Sequence, residues 1–122
     1  MRKNVPWLGI LFAVSCLLSC WVLFIYLHLR VLVALANDQT RFIVMWRDRA
    51  LASKNADGVG PLQMIVHEYP SGTKQFTGSS LDQMVERHRA DAVREVIAHL
   101  RKETGKNLGN NPDTWIEKYG SQ

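Results

Sequence analysis

The sequence predicts an all-α chain, in which one N-terminal transmembrane helix continues into a small helical soluble domain of αα-hairpin type. Three observations predict it. Residues 7–27 carry no formal charge, and a helix of these 21 residues is about 30 Å long, the thickness of a bilayer's hydrocarbon core. Behind this run, apolar residues recur at the three-and-four spacing of amphipathic helices. Clusters rich in Gly, Pro, Asn and Asp interrupt that spacing at 55–58, 70–72 and 105–112, where short connections belong.

The span takes most of the greasy residues. Of the 32 positions from Val5 to Ala36, 26 are apolar, against 30 of the 86 from Asn37 to Gln122. This divides the chain into residues 1–36, a basic head and membrane helix, and residues 37–122, the helical soluble part. The soluble part supports only a thin core. A net charge of +4 and a pI near 9.3 suggest a nucleic-acid partner, but the distribution excludes that reading. From Asn37 onward 12 Lys and Arg face 11 Asp and Glu, and the remaining positive residues, Arg2, Lys3 and Arg30, flank the apolar run. The excess belongs to membrane topology, with the lipid bilayer as the first partner and no nucleic acid.

Trp7 and Tyr26 suit the two interfacial belts, and the apolar pattern through residues 31–36 reads as the same helix leaving the membrane. Two rivals lose to a span. A cleaved signal peptide would end at Ala34-Leu35-Ala36, but its apolar region is too long and an arginine separates it from the cut. A lipoprotein signal at Leu17-Leu18-Ser19-Cys20 would leave a mature terminus headed by another apolar run. The short basic head before a long apolar segment has the form of a signal anchor. It places the N-terminus in the cytoplasm and the C-terminal domain outside it.

In the soluble part, Leu32, Leu35, Phe42 and Trp46 continue the first helix to about Lys54. A second helix is expected over residues 61–69, with Pro61 at its start and Leu62, Ile65, Val66 and Tyr69 on one face. Phe76 is the expected anchor of the polar connection 73–78. A third helix begins at Ser79 or Ser80, with Asp82 and Gln83 in capping-box positions, and stops at Gly105. Its apolar stripe is Leu81, Val85, His88, Ala92, Val96 and Leu100, with Arg87, Asp91, Arg94, Arg101 and Lys102 opposite. A last helix runs from Pro112 to Tyr119, capped by Asn111 and stopped by Gly120. Trp115, Ile116 and Tyr119 on one face make it a lid on the third helix.

The string Thr104-Gly105-Lys106-Asn107-Leu108-Gly109, followed by Pro112 and Trp115, resembles the tail that follows helices of HEAT-type repeats in some bacterial proteins. With residues 69–73 and Arg94-Glu95-Val96-Ile97, roughly the last 55 residues also resemble small bacterial single-pass membrane proteins. A HEAT array needs several stacked units, and there is room for about one. The resemblance therefore implies a helical hairpin and a bacterial source, and implies no activity.

The residues offer little for catalysis, a metal or a cofactor. Cys16 and Cys20, the only cysteines, lie in the apolar run, so neither a disulfide framework nor a cysteine zinc site is expected in the soluble part. His88 and His99 are 11 residues apart, about 16 Å along a helix, too far to share an ion. His28 and His67 have no ligand-spaced companion. Ser71, Ser79 and Ser80 fit turns and caps, and the loop glycines lack the lysine of a phosphate-binding loop. Arg87-His88-Arg89, surrounded by Glu86, Asp91 and Glu95, reads as a solvated mixed-charge face.

One pattern in the membrane run suggests association. Gly9, Ala13, Cys16 and Cys20 fall within about 60° on a helix, and small residues there admit a second helix closely. The sequence thus points to a non-enzymatic, membrane-tethered interaction module, contacting a second copy of itself or another membrane protein. The alternative is an accessory subunit or assembly factor of a larger membrane complex.

Overall fold

The computed structural model describes residues 5–120. It holds four helices, α1 (Val5–Ala52), α2 (Val59–His67), α3 (Ser80–Thr104) and α4 (Pro112–Tyr119), and no strand among the described residues. The basic head, with Arg2 and Lys3, lies outside them. The chain forms two compact units that divide between Val33 and Ala34, and α1 contributes to both.

In the first unit, α1 leaves its large apolar side chains exposed at nearly every position from Trp7 to Val33. By length and composition it is a helix apolar enough to cross a membrane.

The second unit has its own core. Ala36, Ile43 and Ala50 of α1 join Val59, Leu62 and Ile65 of α2, Val85, Ala92, Val96, Ile97 and Leu100 of α3, and Trp115 of α4. The buried seam of α1 is therefore Ala36, Gln39, Ile43 and Ala50, while Leu35, Phe42 and Trp46 of the expected stripe are only half-buried at its margin.

α1 ends in a turn that starts α2 two residues earlier than the proline predicts. Gly58 is its N-cap, and a Cβ there would lie 2.8 Å from Ser53 Oγ and 3.2 Å from Leu100 Cδ2. The absence of a side chain lets this turn nest against α3, and Pro61 takes the third helical position, where its missing N–H is still harmless. α2 also ends earlier than expected, at His67. Tyr69 lies beyond it in the left-handed region, at φ 50°.

The two later helices have the expected ends. Ser79 caps α3 by accepting from Asp82 N, and Gly105 closes it with φ 66°. Asn111 caps α4, Pro112 opens it and Gly120 follows it. The lid, however, is corrected: α4 lies against α2, which also packs on α3. The turn explains this redirection. Arg101 holds Asn107 and Asn110 at 3.0 and 2.5 Å, Gly109 adopts φ 88°, and Trp115 Nε1 donates to Gly109 O at 3.1 Å. A hydrophobic stripe specifies that a face is buried without specifying the partner.

Contacts give the second unit two ends. At one, Gln39 of α1 meets Tyr69, and the α2–α3 loop meets Asp82 of α3. At the other, His99 Nε2 lies 2.9 Å from Ser53 O and Asn55 N donates to Glu103. α3 therefore runs in the same direction as this part of α1, and α2 runs opposite to both.

Candidate functional site

The densest polar cluster in the second unit is built where α2 gives way to the loop. Its centre is Arg89. Arg89 is 8% exposed, and its guanidinium donates to the carbonyls of Ile65, Glu68 (3.1 Å) and Tyr69 (2.6 Å), with Nε also donating to Glu86 at 3.2 Å. These carbonyls belong to the last turn of α2 and its exit, groups that an ending helix leaves unsatisfied. A planar fork of donors is suited to several acceptors at once. The reading of Arg89 as part of a solvated face is therefore corrected, and so is His88 in the apolar stripe: His88 is exposed. At 100° per residue the buried arc of α3, from Val85 through Ala92 and Val96 to Leu100, is centred near Arg89 and lies about 100° from His88.

Tyr69 is gripped from several sides. Its carbonyl accepts from Arg89 and from Gln39 Nε2 at 2.8 Å, its ring meets Phe42 edge-on at 5.3 Å, and Lys74 Nζ lies 4.3 Å from the ring centroid. A left-handed backbone is costly for a residue with a Cβ. Here the surrounding contacts hold it.

Asp82 organises the loop that follows. Its carboxylate accepts from Ser71 Oγ at 2.7 Å, Gly78 N at 2.8 Å and Gly72 N at 3.1 Å. These hydrogen bonds, led by that of Ser71 and assisted by the nearby Arg89 charge, hold its pKa below the usual carboxylate value. Gly72 and Gly78 have φ near 80°, and a Cβ on Gly72 would collide with Thr77 Oγ1. The loop is tight, and its anchor is Gln75, which is buried. Phe76, the expected anchor, is 74% exposed.

A pH dependence follows. Because folding lowers the pKa of Asp82, its contribution to stability is fully present above the ordinary carboxylate pKa of about 4 and is lost as pH falls through the lowered value. Thermal unfolding of the full chain in detergent is expected to show an acid limb beginning below about pH 4. Asp82→Asn should flatten that limb while lowering stability at neutral pH. An unaltered acid limb in the variant would assign it to other carboxylates.

The residues of the small-residue stripe in the apolar run lie together as the period requires. Gly9, Ala13, Cys16 and Cys20 are all exposed on α1, both thiols are free, and a Cβ on Gly9 would meet nothing within 4 Å. A shallow concave strip lies on a neighbouring stripe of the same helix, along Ser15, Leu18, Ser19, Val22 and Tyr26. His28 stacks on Phe24, and His67 is 3.9 Å from Asp113 of α4. Among the described residues no three His, Cys, Asp or Glu side chains come together as metal ligands. The sequence named Arg89 only within a basic cluster assigned to solvent, and did not single out Gln39 or Gln75. The one signal for Arg89 and Gln39 was a polar residue where the apolar period continues; Gln75, in a loop, carried none.

No known protein family, curated protein or solved structure matches the chain.

Proposed function

We propose that this protein is a membrane-tethered, non-enzymatic helical module that crosses a bacterial cytoplasmic membrane once and contacts other proteins through its span and its soluble helices. The apolar surface of α1 carries the reading. Large apolar side chains are exposed between Trp7 and Val33, about 40 Å of helix at 1.5 Å per residue, which matches a bilayer with its interfacial layers. Ala36 supports retention of the span, because it belongs to the core of the second unit. Cleavage before Asn37 would remove a core residue. The signal-anchor form places the N-terminus inside and residues 37–122 outside the cytoplasm, as a helical domain of hairpin type.

Gly9, Ala13, Cys16 and Cys20 are the proposed contact for a second copy or another membrane protein. The accessory-subunit reading draws on a different surface. The outer face of α1 in the second unit forms a shallow groove along Thr40, Arg41, Val44, Met45 and Arg49, with Met45 exposed. That face suits a partner subunit.

Carbonate extraction of native membranes is expected to leave the full-length chain in the pellet. In the same membranes, an oxidant should crosslink Cys16 or Cys20 between copies, or a native partner should co-purify in mild detergent. Gly9→Leu with Ala13→Leu should abolish either association without loss of insertion, since both changes are more hydrophobic. Release of a fragment beginning at Asn37 would overturn the anchor, and association insensitive to the leucines would overturn the stripe.

A further inference from the structure

The exposed ring of Phe76 has a fixed setting. Its loop is clamped by three hydrogen bonds to Asp82 and by the burial of Gln75, so the tip is displayed by a built turn. The neighbouring residues Thr73, Lys74, Thr77 and Gly78 are polar or small. A large aromatic side chain left in water at the tip of such a turn has no core to join.

The position of the loop is set by α1. Lys74 Nζ lies 2.8 Å from Asp38 Oδ2, and Gln39 Nε2 lies 2.8 Å from Tyr69 O. Both partners are in the first turns of the second unit. Asp38 is only five residues past Val33, the last of the exposed large apolar side chains of the membrane run. Along a helix five residues are about 7.5 Å. Two residues of extended chain, the distance from Lys74 to Phe76, reach about 7 Å.

We propose that the α2–α3 loop is a second membrane contact, with Phe76 inserted into the interfacial layer of the bilayer that holds the apolar run of α1. The inference rests on the single-pass reading above. A phenyl ring partitions into the boundary between headgroups and acyl chains, while Lys74 beside it remains among headgroup phosphates. The Lys74–Asp38 ion pair and the Arg89 cluster hold this loop to the start of the second unit, where the chain enters it from the apolar run. This use explains why the buried member of the loop is a glutamine and the exposed one a phenylalanine.

Site-directed spin labelling tests the proposal in the full chain, reconstituted in vesicles of phosphatidylcholine and phosphatidylglycerol. One label is placed at Phe76→Cys in a Cys16→Ser, Cys20→Ser background. A second is placed at Lys106→Cys, in the exposed turn after α3, in the same background, and a third on the native Cys16 and Cys20. The ratio of oxygen to water-soluble nickel accessibility is read at each, and helix content verifies folding. A ratio at position 76 several-fold above that at position 106, with the native cysteines in lipid, is the expected result. Native cysteines in lipid and position 76 as accessible to nickel as position 106 would overturn the loop contact and leave the span intact. Native cysteines accessible to nickel would overturn both.

Discussion

Trp115→Ala is expected to lower the unfolding free energy of the second unit by about 3 kcal/mol, within the range for large buried aromatics. The ring is fully buried. It lies in the common core with α2 and α3, stacks on Tyr119 at 6.3 Å and spends its N–H on Gly109 O. Alanine leaves a cavity beneath α4 and removes the bond that folds the turn back. In a unit of this size such a loss corresponds to a fall in melting temperature of about 15 °C, readable by circular dichroism of the full chain in detergent. An unchanged transition would mean that α4 is held by its caps alone.

Arg89→Met is expected to cost at least as much, about 3 kcal/mol or more, although methionine packs well in a core. The loss comes from the acceptors. The carbonyls of Ile65, Glu68 and Tyr69 share one guanidinium; Tyr69 would keep Gln39, but the buried Ile65 carbonyl would lose this partner, and a buried carbonyl without a partner carries its full desolvation penalty. Arg89→Lys should restore little, since one ammonium cannot reproduce a planar fork across separate acceptors. Hydrogen exchange offers a local reading, with the α2 amides losing protection before those of α3. If Arg89→Met melts like the parent chain, the cluster is ornamental and Tyr69 keeps its backbone by other means.

These two sites differ in how far the sequence disclosed them. Trp115 was legible because its helix carries local signals: Asn111 and Pro112 at one end, Gly120 at the other, and an aromatic on the apolar face. The direction of the lid was not legible. It depends on how the turn from Gly105 to Asn110 aims the chain, which is settled by Arg101 reaching two asparagines. Arg89 was hidden for a related reason. A charged residue is assigned to solvent unless its acceptors are known, and here they come from 20 to 24 residues earlier in the chain. Gln75 and Phe76 reversed the expected roles because a loop has no period from which to infer a face. The apolar run of α1 needed no tertiary information, and neither did the stripe of Gly9, Ala13, Cys16 and Cys20.

The order in which the joints of the second unit close has a consequence for its biosynthesis. Ala36, Ile43 and Ala50 share one core with residues as far along as Leu100 and Trp115. A ribosome adding about 5–20 residues per second needs roughly 3 to 13 s to travel from Ala52 to Tyr119. During that interval the seam of α1 lacks part of its cover, and Gln39 meets a carbonyl 30 residues downstream. The longest helix is thus the first element made and among the last to be sheltered, so the cell must tolerate or chaperone a half-clothed α1 each time a copy is produced.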